Sequence, residues 1–512
     1  MRRKTKYFSL LLAAAVFISL LAACSSNTGN NEGNNSTAPT TNEENGGQAT
    51  TSGDEATKDP YEITLAMPVF GSIPKDIEVV QAEINKISQA KINATVKILP
   101  ISIGAWQQQM NLMMSGGEKL DLAFTFGQSY PSQVAMGQIE PIDELLSAYG
   151  EGIKQAIGTE YLKSAEVSGK HYGVPTLHDY AGQSGIIMRK DLLDKYKINI
   201  DSIKTLDDLD SVFKTIKENE PGMAPLAIGT GGPLDSYVTY DRLGDRFGVL
   251  PGFDNGLKIE NYYESTEYAD LLNRMHQWFK AGYINKDAAT TQIPEIDMVK
   301  EDKAFSYFAR NKPGYVSEQE RGIGKEMVFV NLLPEAYSAT SDVMVGMWTI
   351  SQNSENQQRA MMFLNLMYTD KDIANLMLWG VEGKHYMKVT ETSIDLPETT
   401  VDYATQSWLM ANPFLTYTHV DTEPDVWTKM KAFNEEAVKS KALGFSFNAE
   451  PVKNEITALN NVVQQYRKIL ETGTIDPTKR LPEFIAKLKA AGIDKVIVEK
   501  QKQLDAWAAA KQ

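Results

Sequence analysis

The sequence predicts an α/β fold in two domains, with largely parallel sheets flanked by helices. Three observations carry this. Between Tyr61 and Phe126, apolar residues alternate at period two, recur at helical spacing, and then repeat both patterns in a strand–helix–strand–helix–strand series. A second series opens after "GKHYGVPT" (169–176), which breaks the pattern with two glycines and a proline. Finally, about 450 residues follow a polar tract ending at Pro60, too many for one core and ordinary for two.

The chain opens with "MRRKTK" and an apolar run from Tyr7 to Ala23, the pattern of a secretory signal peptide over residues 1–23. The only cysteine, Cys24, follows at once. From Ser25 to Pro60 there is no Ile, Leu, Val, Met or aromatic residue, so the tract 24–60 has too little apolar surface to offset the entropy of ordering. As a flexible coil it spans about 35 Å root-mean-square. Four of the 51 Lys and Arg lie in the leader, so the remaining 47 face 66 acidic residues and the net charge is −19. That excess, dispersed along the chain, argues against nucleic acid and against adhesion to anionic lipid by charge alone.

In the body, "YEITLAM" alternates Ile63, Leu65 and Met67, which predicts a half-buried strand. Ile77, Val80, Ile84 and Ile87 predict a helix, "INATVKI" a strand, and Trp106, Met110, Met113 and Met114 a helix ended by Gly116 and Gly117. "LDLAFTF" closes the series. Ligands of such sheets bind beyond the carboxyl ends of the strands, which nominates Phe70 and the stretch Phe126 to Gln128. In the second series "GIIMRKDLLDKY" reads as strand then helix, and Thr205 with Asp208 forms a capping-box pattern. "APLAIG" is a further strand, and Tyr268, Leu271, Leu272, Met275, Trp278 and Phe279 form the core stripe of a long helix. Residues 360–379 read as two helices joined at Thr369, with Thr369 and Asp372 as a second capping-box match and Gly380 as C-cap.

The chemistry-bearing motifs are sparse. There is no HExxH, GxSxG or GxxxxGK[ST], the five histidines show no close metal-ligand spacing, and nothing calls for a cofactor. With 66 acids a glycosidase-like carboxylate pair can always be nominated, so that test discriminates nothing. "LWGVEGKHYMKV" (378–389) gathers Trp379, Glu382, His385 and Tyr386, which suit either acid/base work or a ligand grip. No partner machinery for catalysis appears elsewhere, which favours the grip and leaves His385 a structural hydrogen bonder.

"LAAC" at 21–24 resembles the bacterial lipobox, which implies cleavage before Cys24 and lipid attachment to it. With "SGGEKLDLAFTFG", "GKHYGVPT" and "IIMRKDLLDKY", the chain from residue 61 onward resembles an extracellular solute-binding lipoprotein of a carbohydrate ABC importer. "GVEGKHYMKV" and "KALGFSFNAEPVKNEITALNNVVQQYRKILETGTIDP" are similar to the LipO-like branch, which carries a C-terminal domain of unassigned function. The resemblance implies a two-lobed periplasmic-binding-protein-like fold with a ligand cleft between the lobes, closing by hinge motion, and a helical C-terminal extension over about 430–512. By analogy the chain crosses near 170–176, 325–330 and 368–372. One lobe is then 61–172 plus 328–369 and the other 173–327 plus 370–512. It also implies a monomer held by its lipid on the extracellular face of the cell membrane, handing an oligosaccharide or other polar solute to separate ABC permease subunits.

A sugar offers apolar C–H faces and a rim of hydroxyls, so its pocket needs flat rings beside carboxylates, amides or arginine. Rings near predicted element ends are Phe70, Phe126, Tyr180, Tyr240, Trp348, Trp379 and Trp408, and the polar candidates are Gln128, Asp179, Arg189 and Glu382. Two departures from the maltose-type pattern stand out: Met188 where a Tyr is common, and Thr125, Phe126 and Gln128 in place of an aromatic–acid pair. A cell-surface glycoside hydrolase and a surface sensor lipoprotein are the alternatives from other classes.

Overall fold

The computed structural model describes residues 53–511 apart from 238, 253–254, 334 and 398–401. The leader, Cys24 and the tract as far as residue 52 lie outside the described residues. The strands of the two main sheets are β1 (Tyr61–Val69), β2 (Ala94–Ser102), β3 (Leu122–Phe126), β4 (Gly173–Pro175), β5 (Gln183–Arg189), β6 (Ala224–Leu226), β7 (Ala304–Asn311), β8 (Met327–Asn331) and β9 (Gly346–Ile350). The first sheet runs β2-β1-β3-β9-β4 and the second β8-β5-β7-β6.

The opening series folds as read. β1 lies parallel between β2 and β3, with helices α1 (Ile77–Ile92) and α2 (Ile103–Gly116) as the connections. β1 is buried on both faces rather than one, Thr64 and Ala66 included, because it is an interior strand of a covered parallel sheet. The alternation expected there belongs to the edge strand β2, whose Lys97 faces solvent. α1 and α2 pack Val80, Ile84, Trp106, Met110 and Met114 into the first core.

In the second sheet only β7 and β6 pair in parallel; β5 runs against both β7 and β8. Its core takes Leu209, Phe213 and Ile216 from α3 (Leu209–Asn219) and Tyr268, Leu272, Met275 and Trp278 from α4 (Thr266–Ala281). α3 begins after Asp208, not at Thr205: the Asp208 carboxylate accepts the backbone N–H groups of Lys204 and Thr205 and the Thr205 hydroxyl, closing a turn ahead of the helix. Beyond β7, α5 (Tyr315–Ile323) leads into β8.

Several segments sit on the other side of the boundaries drawn from the family resemblance. Gly173–Pro175 completes the first sheet, and Met327–Asn331 pairs within the second. After α6 (Gln357–Thr369), helix α7 (Lys371–Trp379) packs Ile373, Met377 and Leu378 into the first core, as do Leu409 and Met410. The physical reason is the apolar stripe of α7, which is continuous with that of α6. The N-cap of α7 is Asp370, which accepts from Asp372 N and Ile373 N, in place of Thr369. Residues 176–182 and 332–345 connect the sheets, and Gly182 and Tyr337 exchange backbone hydrogen bonds at 3.2 and 3.1 Å.

After α8 (Val426–Glu436) the chain returns to this junction as a strap. Val438 and Lys439 pair in parallel with Tyr337 and Ser338, Ser440 Oγ donates to buried Asp241 of the second half, and Gly444 lies against Lys163 and Ser164 of the first. The C-terminal helices α9 (Lys453–Glu471), α10 (Pro477–Ala491) and α11 (Ile493–Ala509) bury Leu459, Leu470, Phe484, Leu488 and Val496 in the second core. Lys500 of α11 is fully buried, its ammonium bonded to Asp245 and Gly248 O. No helix among the described residues is long and apolar enough to cross a membrane.

Candidate functional site

A cavity of about 610 Å³ opens where the two sheets are joined, lined by the connection 178–182, the end of β7 and its following turn (310–314), α5, the end of α7, and the loops 406–419 leading to the first turns of α8. Its aromatic wall consists of Trp379, Trp408, Phe414, Tyr417 and Trp427. Two of its three indoles are pinned by hydrogen bonds: Trp379 Nε1 donates to Tyr417 O and Trp427 Nε1 to Thr416 O, both at 3.0 Å. Trp408 meets Phe70 edge-on with ring centroids 5.3 Å apart and lies 6.4 Å from Phe126. Phe70 is 40% exposed, so the carboxyl ends of β1 and β3 extend the aromatic surface beyond the cavity itself.

The polar wall comes mainly from the other half and the connections. Arg310 and Lys312 alternate at the end of β7 and reach the two connections: Arg310 Nη1 donates to Asp342 Oδ1 at 2.8 Å and Nη2 to Tyr337 O at 3.1 Å, while Lys312 Nζ is 3.3 Å from Asp179 Oδ1. A Cβ on Gly182 would stand 2.5 Å from Arg310 Nε, so a larger residue there would push the guanidinium out of this position. Glu318 and Arg321 of α5, with Gln406, Ser407, Thr418 and His419, complete a ring of donors and acceptors. Buried His178 donates from Nδ1 to Asp179 O at 3.1 Å, and burial pushes its imidazole below the ordinary 6.5, so it is neutral and Nε2 is an acceptor. Flat rings facing hydrogen-bonding groups suit a ligand with apolar faces and hydroxyl edges.

Of the residues nominated from sequence, Trp379, Trp408, Phe70 and Phe126 come together here, and Asp179 lies among them. Gln128 is exposed two residues past β3, and Glu382 is exposed in the turn after α7, outside the cavity lining. The remainder are placed elsewhere. Trp348 is fully buried in β9, edge-on to Phe124, with its indole N–H donating to Leu409 O. Tyr180 is buried against Tyr161 and donates to Thr176 O, and Tyr240 packs at a tilt against Tyr262, ring centroids 4.0 Å apart, in the second core. Arg189 is spent on Asp191 and Asp302. It sits at the opposite end of β5 from Gln183, about 20 Å from the cavity edge at the rise of a strand. In each case proximity to an element end was a weaker cue than the side of the sheet on which the residue falls. His385 is a structural group: Nδ1 accepts from Val381 N at 2.9 Å and Nε2 donates to Asp76 Oδ2 at 3.0 Å. No cluster of three metal-ligating side chains occurs among the described residues.

Residues 76–374 match the bacterial extracellular solute-binding protein family. The chain belongs to that family. Residues 441–509 of this solute-binding protein match a domain of unknown function, DUF3502, which corresponds to the end of the strap and helices α9 to α11. A carbohydrate ABC transporter substrate-binding protein of Streptococcus pneumoniae serotype 4 is 29% identical over 467 residues, covering 89% of this chain and 92% of that one. The polygalacturonan/rhamnogalacturonan-binding protein YtcQ of Bacillus subtilis strain 168 is 26% identical over 260 residues, 47% of this chain and 50% of that one. Among solved structures, the N-glycan transport solute binding protein NgtS of Streptococcus pneumoniae superposes with a TM-score of 0.77 at 28% identity, covering 89% of this chain and 100% of that one. The TM-score is 0.69 for its complex with Man1GlcNAc, covering 87% and 99%, and 0.66 for its complex with Man5GlcNAc, covering 89% and 100%.

Proposed function

We propose that this solute-binding protein captures an oligosaccharide, or a related polar solute, in the cavity between its two halves and delivers it to an ABC permease without altering it. The observation that carries this reading is the pairing of an aromatic wall from one half with a hydrogen-bonding wall from the other. Stacking supplies contact area and the polar wall supplies orientation. The likeness to a carbohydrate importer's binding protein over nearly all of both chains supports the same reading. Closure of the halves about residues 176–182, 332–345 and the strap would bring the walls together on the ligand.

The protein acts as a monomer, on the extracellular face of the membrane, tethered by a lipid on Cys24 and the polar tract behind it. Calorimetric titration with oligosaccharides, followed by product analysis, tests the central reading. Saturable heat with the sugar recovered intact is expected, and turnover by substoichiometric protein would show a hydrolase instead. Replacing Cys24 by Ser is expected to release the protein from cells into the medium, and retention on the membrane would remove the anchor.

A further inference from the structure

The charges around the cavity are matched to one another before any ligand arrives. Its lining carries three fixed cations, Arg310, Lys312 and Arg321, and three carboxylates, Asp179, Glu318 and Asp342. Arg310 is committed to Asp342 and to Tyr337 O. Lys312 lies between two acids, 3.3 Å from Asp179 and 3.8 Å from Glu318. Among the described residues, Arg321 is the one lining cation with no carboxylate within 4.0 Å, and it is exposed at the rim on α5. His178 adds no charge, because burial holds it neutral.

An anionic sugar needs the opposite arrangement. Its carboxylate gives up water on entering, and only an uncompensated cation inside the cavity, best a guanidinium offering both of its parallel N–H groups, replaces what is lost, whereas Arg321 at the exposed rim stays in water and contributes little. Here the fork of Arg310 is taken and the ammonium of Lys312 is outnumbered two to one. The net charge of −19 beyond the leader adds a repulsive field at longer range. Kinship leaves the charge class open, since one relative is named for N-glycan and another for polygalacturonan.

We propose that the cavity selects uncharged oligosaccharides and rejects uronides, with Lys312 held between Asp179 and Glu318, and Arg310 on Asp342, as the device that cancels every interior cation. The paired groups keep free oxygen lone pairs and N–H groups for sugar hydroxyls, so they serve recognition without supplying net charge. Glu318 is the selective element within this set. It is the second acid on Lys312 and comes from α5, whereas Asp179 comes from the connection between the sheets. This inference rests on the glycan-binding reading above.

Titration of the purified protein with a neutral mannose–N-acetylglucosamine oligosaccharide and with an oligogalacturonide of equal length tests it. The neutral sugar is expected to bind at least about tenfold tighter, with an affinity unchanged between low and high salt. An oligogalacturonide bound as tightly or more tightly overturns the inference and leaves the glycan-binding reading standing. Binding of neither sugar overturns that reading, and the inference with it. Glu318→Gln, which leaves Lys312 with one acid, is expected to raise the ratio of oligogalacturonide affinity to neutral-sugar affinity several-fold, in a salt-sensitive way. A folded Glu318→Gln protein with that ratio unaltered removes Glu318 as the selective element. If that variant does not fold, the comparison of the two sugars on the wild-type protein still decides the proposal.

Discussion

Phe414 and Trp427 stack on the cavity wall with ring centroids 5.4 Å apart and planes 27° from one another. Neither ring is fully buried, and Trp427 is pinned through its N–H to Thr416 O, so the pair is a rigid, partly open surface and not core. Trp427→Ala removes one ring and loosens the other. An affinity loss of about 1 kcal/mol or more is expected, with thermal unfolding still cooperative. Unchanged binding in titration would take this wall out of the site.

Trp379 tests the second part of the same wall from an independent element, the end of α7. Trp379→Ala is expected to weaken oligosaccharide binding by a similar amount and to leave the fold intact. A loss of stability equal to that of a core residue would instead assign the ring to packing.

Trp348 provides that comparison. It has no exposed surface and packs beneath Phe124. Trp348→Ala leaves a cavity in the first core and is expected to cost about 3–5 kcal/mol of stability. Denaturant unfolding measures this, and a loss under about 1 kcal/mol would contradict the packing described here.

His178 gives the protein a pH dependence of defined sign. Its folded imidazole is held below the ordinary 6.5 by burial, with Asp179 and Asp342 pulling it up and Lys312 pushing it down. As the pH falls through 6.5, the unfolded chain takes up a proton that the folded one refuses, so stability declines on the acid side. His178→Asn keeps a donor toward Asp179 O and removes the titration. Between about pH 7.5 and 5.5 its melting temperature is expected to fall less than that of the wild type, and parallel slopes would exclude the effect.

Gly380 ends α7 with φ 81°, and a Cβ there would lie 2.4 Å from His385 Nδ1, the atom that accepts from Val381 N. Gly380→Ala therefore strains the backbone and expels the imidazole from its seat between Val381 and Asp76. A loss of at least about 1 kcal/mol in stability is expected, accompanied by a shift in the His385 ring resonances.

The opening series and the helix ends at Gly117 and Gly380 were legible because period and glycine position act locally. The family followed from the order of short motifs over hundreds of residues. The site was legible only in part. Trp379, Trp408, Phe70 and Phe126 sit at strand or helix ends on the open side of the fold, so their positions along the chain pointed to it. Trp348 and Tyr240 satisfy the same cue, and nothing local separates them, because whether an indole faces a cavity or a core depends on which distant segment covers it. For Trp348 that segment includes Leu409, 61 residues on. Arg310 and Lys312 carry a usable sequence signal: two cations at alternate positions where a buried strand runs out. Phe414 and Trp427 carried none.

The strap and the late strands have a consequence for the birth of the protein. The first core needs β9 and residues as late as Ala411, and the second needs α9 to α11, so neither hydrophobic interior can close on an N-terminal fragment. A chain emerging from its N-terminus stays unable to complete either half until its last third has emerged. Contacts that span so much sequence form slowly. Topology alone therefore postpones completion of either half until nearly the whole chain is available.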